Sequence, residues 1–110
     1  MAQRKADDYK KEEVLIAKYS KALGHPARIA ILNYLASLDT CFFGDICKEL
    51  PIANSTVSQH LTELKNAGLI QGTFEPPKVK YCINPKNWND ARLVLDRFFS
   101  QGSPKEQNCN

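Results

Sequence analysis

The chain has 110 residues, of which 43% are hydrophobic, and a formal net charge of +3 at pH 7. This length allows one small domain and excludes a second core, and no apolar run approaches the roughly 20 residues that cross a bilayer. A mildly basic charge permits DNA binding without requiring it. The charged first residues lack the apolar centre of a secretory signal, so we expect a protein that stays in the cytoplasm.

Two helices are predicted at the start of the domain. The first runs from about residue 8 to residue 23, has Asp7 or Asp8 as its cap, and ends at Gly24. The second opens with Pro26 in its first turn and continues through ARIAILNYLASL. The apolar positions at helical spacing are Val14, Leu15, Tyr19 and Leu23 in the first helix and Ile29, Leu32, Leu35 and Ala36 in the second. The second helix should therefore be central to the core.

The next two elements are close enough in sequence to form a helix-turn-helix. A short third helix is predicted from Phe43 to Leu50, where Pro51 stops it. A fourth helix starts near Asn54, only a few residues later, and ends at Gly68. This arrangement is typical of a DNA-binding helix pair.

The fourth helix has a polar face that favours contact with DNA. Val57, Leu61 and Leu64 make one buried stripe if the segment is helical. The opposite face carries small uncharged side chains, at Ser55, Thr56, Ser58, Gln59 and Thr62. Short hydroxyls and amides can approach base edges and phosphates without a long flexible arm. An ordinary amphipathic helix with capping residues at Ser55 and Thr56 is the alternative interpretation.

After Gly68 the segment QGTFEPPKVKYCI predicts a β-hairpin with its tip at residues 75–77. Alternation places Val79, Tyr81 and Ile83 on the inner face and Lys78, Lys80 and Cys82 on the outer face. A basic hairpin beside a polar helix suits a wing whose cations lie near the flanking phosphates. The alternative is that both lysines only protect a solvated strand edge from aggregation.

A last helix is predicted after the turn Asn84-Pro85, and it carries more aromatic surface than one core needs. Its apolar residues are Trp88, Ala91, Leu95, Phe98 and Phe99. We interpret the excess as a dimer face. The predicted fold is mainly α with a small β-hairpin, a winged helix-turn-helix in the order helix, helix, helix, helix, hairpin, helix. It occupies residues 8–100, between a charged N-terminal tail (1–7) and a C-terminal tail (101–110).

Two segments resemble the ArsR/SmtB-type winged-helix repressors of bacteria. ALGHPARIAILNYL is similar to the family's entry into its second helix and STVSQHLTELKNAGLI to its recognition helix, and the likeness covers roughly residues 14–100. The resemblance implies a homodimer, held by the first and last helices, that binds an imperfect inverted repeat in operator DNA until an inducer loosens it. A two-fold dimer places two recognition helices in successive major grooves about 34 Å apart, which matches a palindromic site.

The resemblance and the helical register together predict the site residues. The DNA-binding set is Ser55, Thr56, Ser58, Gln59, Thr62, Lys78 and Lys80, and the dimer interface is Leu15, Tyr19, Trp88, Leu95, Phe98 and Phe99. His60 lies between core and surface in the helical register. For His60 a packing or phosphate-contact role is therefore favoured over base readout.

The cysteines are expected to be free thiols, because a protein in a reducing compartment seldom keeps a disulfide framework. They are Cys41, Cys47, Cys82 and Cys109. Many members of the family sense metal through a C-x-C pair at the start of the third helix, or through Asp and His on the last helix. Here Phe43 stands where the second thiol is expected, and the last helix has no histidine.

A soft metal ion or arsenite would need three or four converging ligands, drawn from Cys41, Cys47, Cys82 and Cys109 of the partner subunit. Alternatively, Cys47 is a small core residue and Cys109 a tail thiol. Some relatives sense oxidation by linking a cysteine in the second helix to one ending the last helix, but those positions hold Tyr34 and Ser100. The sequence therefore predicts no resident cofactor or metal, and the thiols stay the candidate ligands.

Two other kinds of function match the sequence less well. An enzyme is not predicted, since the chain shows no nucleophile elbow, phosphate loop or paired-carboxylate pattern. A winged-helix protein-interaction module without sequence-specific DNA binding is the alternative, because a fold does not dictate its function. Such a module would expose apolar residues on the fourth helix, where this chain has hydroxyls and amides. We therefore predict a sequence-specific DNA-binding transcriptional regulator, a dimeric repressor released by a signal.

Overall fold

The computed structural model describes residues 8–101. Within them the elements are α1 (Lys11–Ala22), α2 (Pro26–Ala36), β1 (Phe42–Phe43), α3 (Ile46–Glu49), α4 (Asn54–Asn66), β2 (Ile70–Glu75), β3 (Lys78–Ile83) and α5 (Pro85–Phe99). The strands form an antiparallel sheet in the order β1-β3-β2. The predicted winged helix-turn-helix is confirmed, with β1 as an additional strand. Over the same range no helix is both long and apolar enough to span a membrane.

The predicted tails fall almost wholly outside this range. Residues 1–7 and 102–110 lie beyond the described part of the chain, and only Gln101 of the C-terminal tail is described. The boundaries of the domain at residues 8 and 100 therefore stay a prediction.

The core lies where α2 packs against α4 and the sheet. The buried residues of α2 and α4 are Ile31, Leu32, Leu35, Val57, His60, Leu61 and Leu64. This confirms the predicted stripe of α4. In α2 the prediction was wrong at Ile29 and Ala36, which are exposed, because α4 and β3 pack against the face that carries Ile31.

The first helix begins at Lys11 rather than at Asp8. Lys10 is its N-cap residue, and the backbone N–H of Lys10 donates to Glu13 Oε1 at 2.9 Å. Glu13, in the first turn, thereby supplies an acceptor for a backbone N–H group that has no partner within the helix. Asp8 precedes the helix, so the predicted aspartate cap was wrong there, and Asp7 lies outside the described residues.

The third helix is a single turn, shorter than the predicted span from Phe43 to Leu50. Gly44 has a φ of +135°, a backbone conformation that favours glycine, so the helix does not extend back through it. Asp45 caps α3, because its carboxylate accepts from the backbone N–H of Cys47 at 2.9 Å. The residues before Gly44 are left extended and pair with β3 as strand β1.

The hairpin has the predicted tip. Ile70 pairs with Ile83 and Glu75 pairs with Lys78, so residues 76 and 77 make the connection between β2 and β3. The strand β3 lies at the centre of the sheet because β1 pairs with its other edge. Its residues from Val79 to Ile83 are all half-buried, including two that were predicted to face outward.

Gly68 joins α4 to the sheet and ends the helix as predicted. Its φ is +81°, which allows the chain to turn sharply after the last helical residue. The carbonyl of Gly68 accepts a hydrogen bond from Asn87 Nδ2 at 2.9 Å. Asn84 caps α5, since its side chain accepts from the backbone N–H of Asn87 at 3.1 Å. These contacts hold the end of α4 against the start of α5.

Candidate DNA-binding surface

The outer face of α4 carries the polar side chains that the sequence assigned to DNA. Ser55, Thr56, Ser58, Gln59 and Thr62 are all exposed. The opposite face is buried, so the helix is held at a fixed rotation about its axis by its apolar stripe. The exposed face therefore presents hydroxyls and one amide to solvent in a defined direction.

The five polar side chains differ in their free hydrogen-bonding groups. Thr56 Oγ1 donates to the carbonyl of Ala53 at 3.1 Å, and Thr62 Oγ1 donates to the carbonyl of Ser58 at 2.9 Å. These two threonines keep only acceptor capacity for a ligand. Across residues 8–101 no hydrogen bond occupies the side chains of Ser58 and Gln59. A free glutamine amide can bind adenine through two hydrogen bonds in the major groove.

The inner side of α4 is fixed by a polar contact as well as by apolar packing. His60 is 7% exposed, and its Nδ1 accepts a hydrogen bond from Arg28 Nε at 3.1 Å. Its ring lies 4.4 Å, centroid to centroid, from the ring of His25. Burial and then the charges of His25 and Arg28 lower the pKa of His60 below its ordinary value. The histidine thus packs as a neutral ring against the start of α2.

Arg28 was not singled out in the sequence. It also donates through Nη1 to the carbonyl of Lys21 at 3.1 Å, at the end of α1. One guanidinium therefore joins the end of α1, its own helix α2 and the recognition helix α4. The contact with His60 spans 32 residues, so no local pattern indicates it.

The wing differs from the prediction at Lys80. Lys78 is exposed at the tip, but the side chain of Lys80 is only 35% exposed. Lys80 Nζ lies 3.8 Å from Glu75 Oε1 and 5.9 Å from the ring centroid of Phe43. The cause is β1, which places Phe43 opposite Lys80 on the sheet. The wing therefore offers one exposed lysine and one that is partly neutralised and covered.

The predicted dimer residues fall into three classes of exposure. Trp88, Phe98 and Phe99 are exposed, and Phe99 is 75% exposed. Leu15 and Leu95 are half-buried. Tyr19 is only 3% exposed and belongs to the core of its own subunit, so its place in a dimer face was wrong.

The expectation of free thiols was wrong for two of the cysteines. Cys41 and Cys82 form a disulfide, because β1 brings them opposite each other at the end of the sheet. Cys47 is free and packs against the core, and burial together with the Asp45 carboxylate raises its pKa. Cys109 lies outside the described residues.

Cys47 is not brought together with the other two described thiol candidates, Cys41 and Cys82. Cys47 lies near Tyr81, whereas the disulfide lines a different cleft. In the part of the chain that the structure describes, no three His, Cys, Asp or Glu residues are grouped to hold a metal ion. While Cys41 and Cys82 are bonded to each other, neither supplies the thiolate that a soft ion binds.

Comparison with known proteins shows which family this chain resembles. Residues 25–71, from the start of α2 to the start of β2, match the family described as bacterial regulatory protein, arsR family. The regulator CmtR of Mycobacterium tuberculosis is 36% identical over 72 residues, which are 64% of this chain and 59% of CmtR. The chain thus matches less than two-thirds of the length of CmtR.

Two further relatives extend the match. The regulator Rv2034 of M. tuberculosis is 32% identical over 81 residues, which are 74% of this chain and 75% of Rv2034. Both regulators are named as HTH-type transcriptional regulators. The solved structure of an ArsR-like transcriptional regulator from Rhodococcus sp. RHA1 has a TM-score of 0.67 at 21% identity, over 81% of this chain and 83% of that one. This last likeness shows the fold.

Proposed function

The chain belongs to the arsR family of bacterial regulatory proteins, and from that premise we propose that it is a homodimeric repressor of transcription. It binds double-stranded operator DNA that contains an imperfect inverted repeat, and a signal releases it. Such a protein acts in the cytoplasm, where its DNA partner lies. It contributes no catalytic step.

The observation that carries the proposal is the free polar face of α4. The amide of Gln59 and the hydroxyls of Ser55 and Ser58 point away from a buried stripe that fixes their direction. An interaction module would present exposed apolar side chains there instead. Base edges in the major groove offer donors and acceptors that match a short amide and short hydroxyls.

Operator binding by fluorescence anisotropy tests the proposal, with DNA from upstream of the protein's own gene and a scrambled duplex of equal length. Gln59→Ala should weaken binding to the upstream DNA by about tenfold, because an amide contact discriminates between bases. Its affinity for the scrambled duplex should stay almost unchanged. Asn33→Ala, which removes an exposed amide from α2, is the matched control. Equal losses on both duplexes would contradict base readout by Gln59.

The homodimer is supported by an apolar surface on α5. The rings of Phe98 and Phe99 contact each other at 5.0 Å, and both remain exposed at the end of the helix. Trp88 and Leu93 are exposed on the same helix. Exposed large apolar side chains of this kind are typical of a protein interface. A two-fold pair of subunits also matches an inverted repeat, since each half-site receives one copy of α4.

Sedimentation at micromolar concentration tests the dimer. Phe99→Glu should shift the protein toward monomer, because a carboxylate would be desolvated in the interface. Phe74→Glu makes the same change at another exposed phenylalanine, in the hairpin, and should leave the dimer intact. A wild-type monomer would contradict the proposal.

A further inference from the structure

The disulfide continues a strand ladder that the sequence did not indicate. In the β1–β3 register Phe42 is opposite Tyr81 and Phe43 is opposite Lys80. The next opposed pair toward α2 is Cys41 and Cys82, whose Cα atoms are 4.6 Å apart. That distance matches the roughly 4.5 Å spacing of a non-hydrogen-bonded antiparallel pair. The bond therefore adds a covalent link at the end of a ladder that is only two residues long.

The segment enclosed by this bond is the DNA-reading module, which we define as residues 42–81. It contains the one-turn helix α3, the recognition helix α4, strand β2 and most of β3. Residues 37–40 lead into the module from α2, and residues 83 and 84 lead out of it to α5. The disulfide thus ties together the entry and the exit of the module, where it joins the other helices.

A cleft of about 570 Å³ gives access to the bond. Both cysteines line it, together with Asp39 and Thr40 of the loop after α2 and Trp88 of α5. Both cysteines are half-buried residues at the cleft rather than residues of the buried core. The volume lies within the roughly 300–1,000 Å³ of small-molecule sites.

We propose that the Cys41–Cys82 disulfide is a site of thiol–disulfide exchange with a low-molecular-weight thiol that enters this cleft, and that the exchange controls operator binding. The control of operator binding by this exchange rests on the proposed function. In a protein that acts in the cytoplasm, a disulfide is usually transient and redox-sensing rather than structural. A bond that encloses the whole DNA-reading module is placed to transmit such a change.

The exchange balances as two successive substitutions. The thiolate of the small thiol attacks one sulfur of the disulfide, a mixed disulfide forms, and the other cysteine leaves as a thiolate that takes up a proton. A second small thiolate then attacks the mixed disulfide and releases the oxidised small disulfide. The second cysteine is left as a thiolate and is protonated in turn. The protein is reduced by two electrons, two small thiols are oxidised, and the reverse steps restore the bond.

Reduction should loosen the entry of the module. Without the bond, β1 is held to β3 only by the pairs Phe42–Tyr81 and Phe43–Lys80. A ladder this short is marginal by itself. The segment between α2 and α3 then moves relative to β3, so the entry to the helix-turn-helix is no longer fixed against the wing. The oxidised form is therefore the form that binds the operator tightly.

The test uses the full-length protein, with reduced glutathione as the probe thiol and oxidised glutathione to reverse its effect. Operator affinity of the wild type should fall by about tenfold on reduction, within the usual range of coupling between sites, and recover on reoxidation. Cys41→Ser and Cys82→Ser should bind weakly in both conditions. Cys47→Ser, which removes the free thiol of α3, should respond like the wild type. Far-UV circular dichroism establishes that each variant is folded.

Peptide mapping by mass spectrometry supplies a readout that does not involve DNA. A glutathione adduct on Cys41 or Cys82, and not on Cys47, is expected during partial reduction. Absence of the adduct, or of the Cys41–Cys82 linkage in the oxidised protein, would overturn the exchange site whether or not the protein binds DNA. Tight operator binding that persists after the linkage is shown to be reduced would overturn the control of binding and leave the repressor proposal standing. Failure of both forms to bind the operator would refute the repressor and the control of binding together.

Discussion

Two links within this protein differ in physical character: the packing of α4 on α2, and the pairing of β1 with β3 beside the disulfide. On one side α4 packs against α2 through fully buried side chains such as Leu64, and through the Arg28–His60 hydrogen bond. On the other side β1 contributes only two residues, of which Phe43 is exposed, and one disulfide. The first contact depends on burial and is independent of the redox state of the solution. The second contact depends on the redox state of the solution.

The largest effect should come from breaking the disulfide. The bond joins residues separated by 41 positions, and closing a loop of that length in the unfolded chain stabilises the fold by about 4 kcal/mol. Urea unfolding with and without reductant should show a loss approaching this value. Hydrogen exchange should accelerate first in β1 and β3, and last in α2 and α4. Uniform acceleration across the chain would contradict the distinction between the two contacts.

A somewhat smaller loss is expected from the α2–α4 contact. Leu64→Ala removes a side chain that is wholly buried, and it should lower the free energy of unfolding by about 3 kcal/mol. Ile29→Ala, at an exposed position of α2, should cost less than about 1 kcal/mol. Both values should be the same under oxidising and reducing conditions. A redox dependence of the Leu64→Ala loss would mean that the two contacts are coupled.

The pH dependence of stability reports on the polar part of the same contact. The pKa of His60 is lowered by burial and then by His25 and Arg28, so the unfolded chain binds the proton more readily than the folded one. This contribution is present above the unfolded value of 6.5 and is lost as pH falls through the folded pKa. Urea unfolding at about pH 7.5 and about pH 5.5 should show lower stability at the acidic pH.

His60→Gln is the matched variant for this measurement, since it keeps a polar side chain and removes the titrating ring. Its loss of stability between the two pH values should be smaller than that of the wild type. The part of the wild-type loss that His60→Gln removes should also be smaller than the loss of stability caused by Leu64→Ala. An unchanged pH dependence would assign the effect to groups other than His60.

The smallest effects are expected in the wing, where the two lysines differ. Lys78→Ala should weaken binding to operator and to scrambled DNA alike. It should also reduce the salt dependence of the affinity by the amount expected for about one phosphate contact. Lys80→Ala should do less, because Lys80 already lies near Glu75 and is partly covered by Phe43. Anisotropy titrations over a range of salt concentrations measure both. A larger effect at Lys80 would mean that the wing rearranges on DNA.

The local elements of this protein follow from patterns of short range. The stripe of Val57, Leu61 and Leu64 was predicted because the three residues recur at i, i+4 and i+7 and so share one face over two helical turns. The polar outer face of α4 follows from that stripe, since a helix buried on one side exposes the other. Glycine at position 68 and proline at position 85 marked the end of one helix and the start of the next.

The sequence by itself therefore determined the order of the helices, the hairpin and the residues that face outward from the recognition helix. The tertiary structure alone decided strand β1, the Cys41–Cys82 pairing, the cover over Lys80 and the burial of Tyr19. A strand of two residues is too short to show a period, and Gly44 interrupts the helical pattern beside it. Contacts between residues that are 32 or 41 positions apart arise from packing and register, which no local spacing encodes.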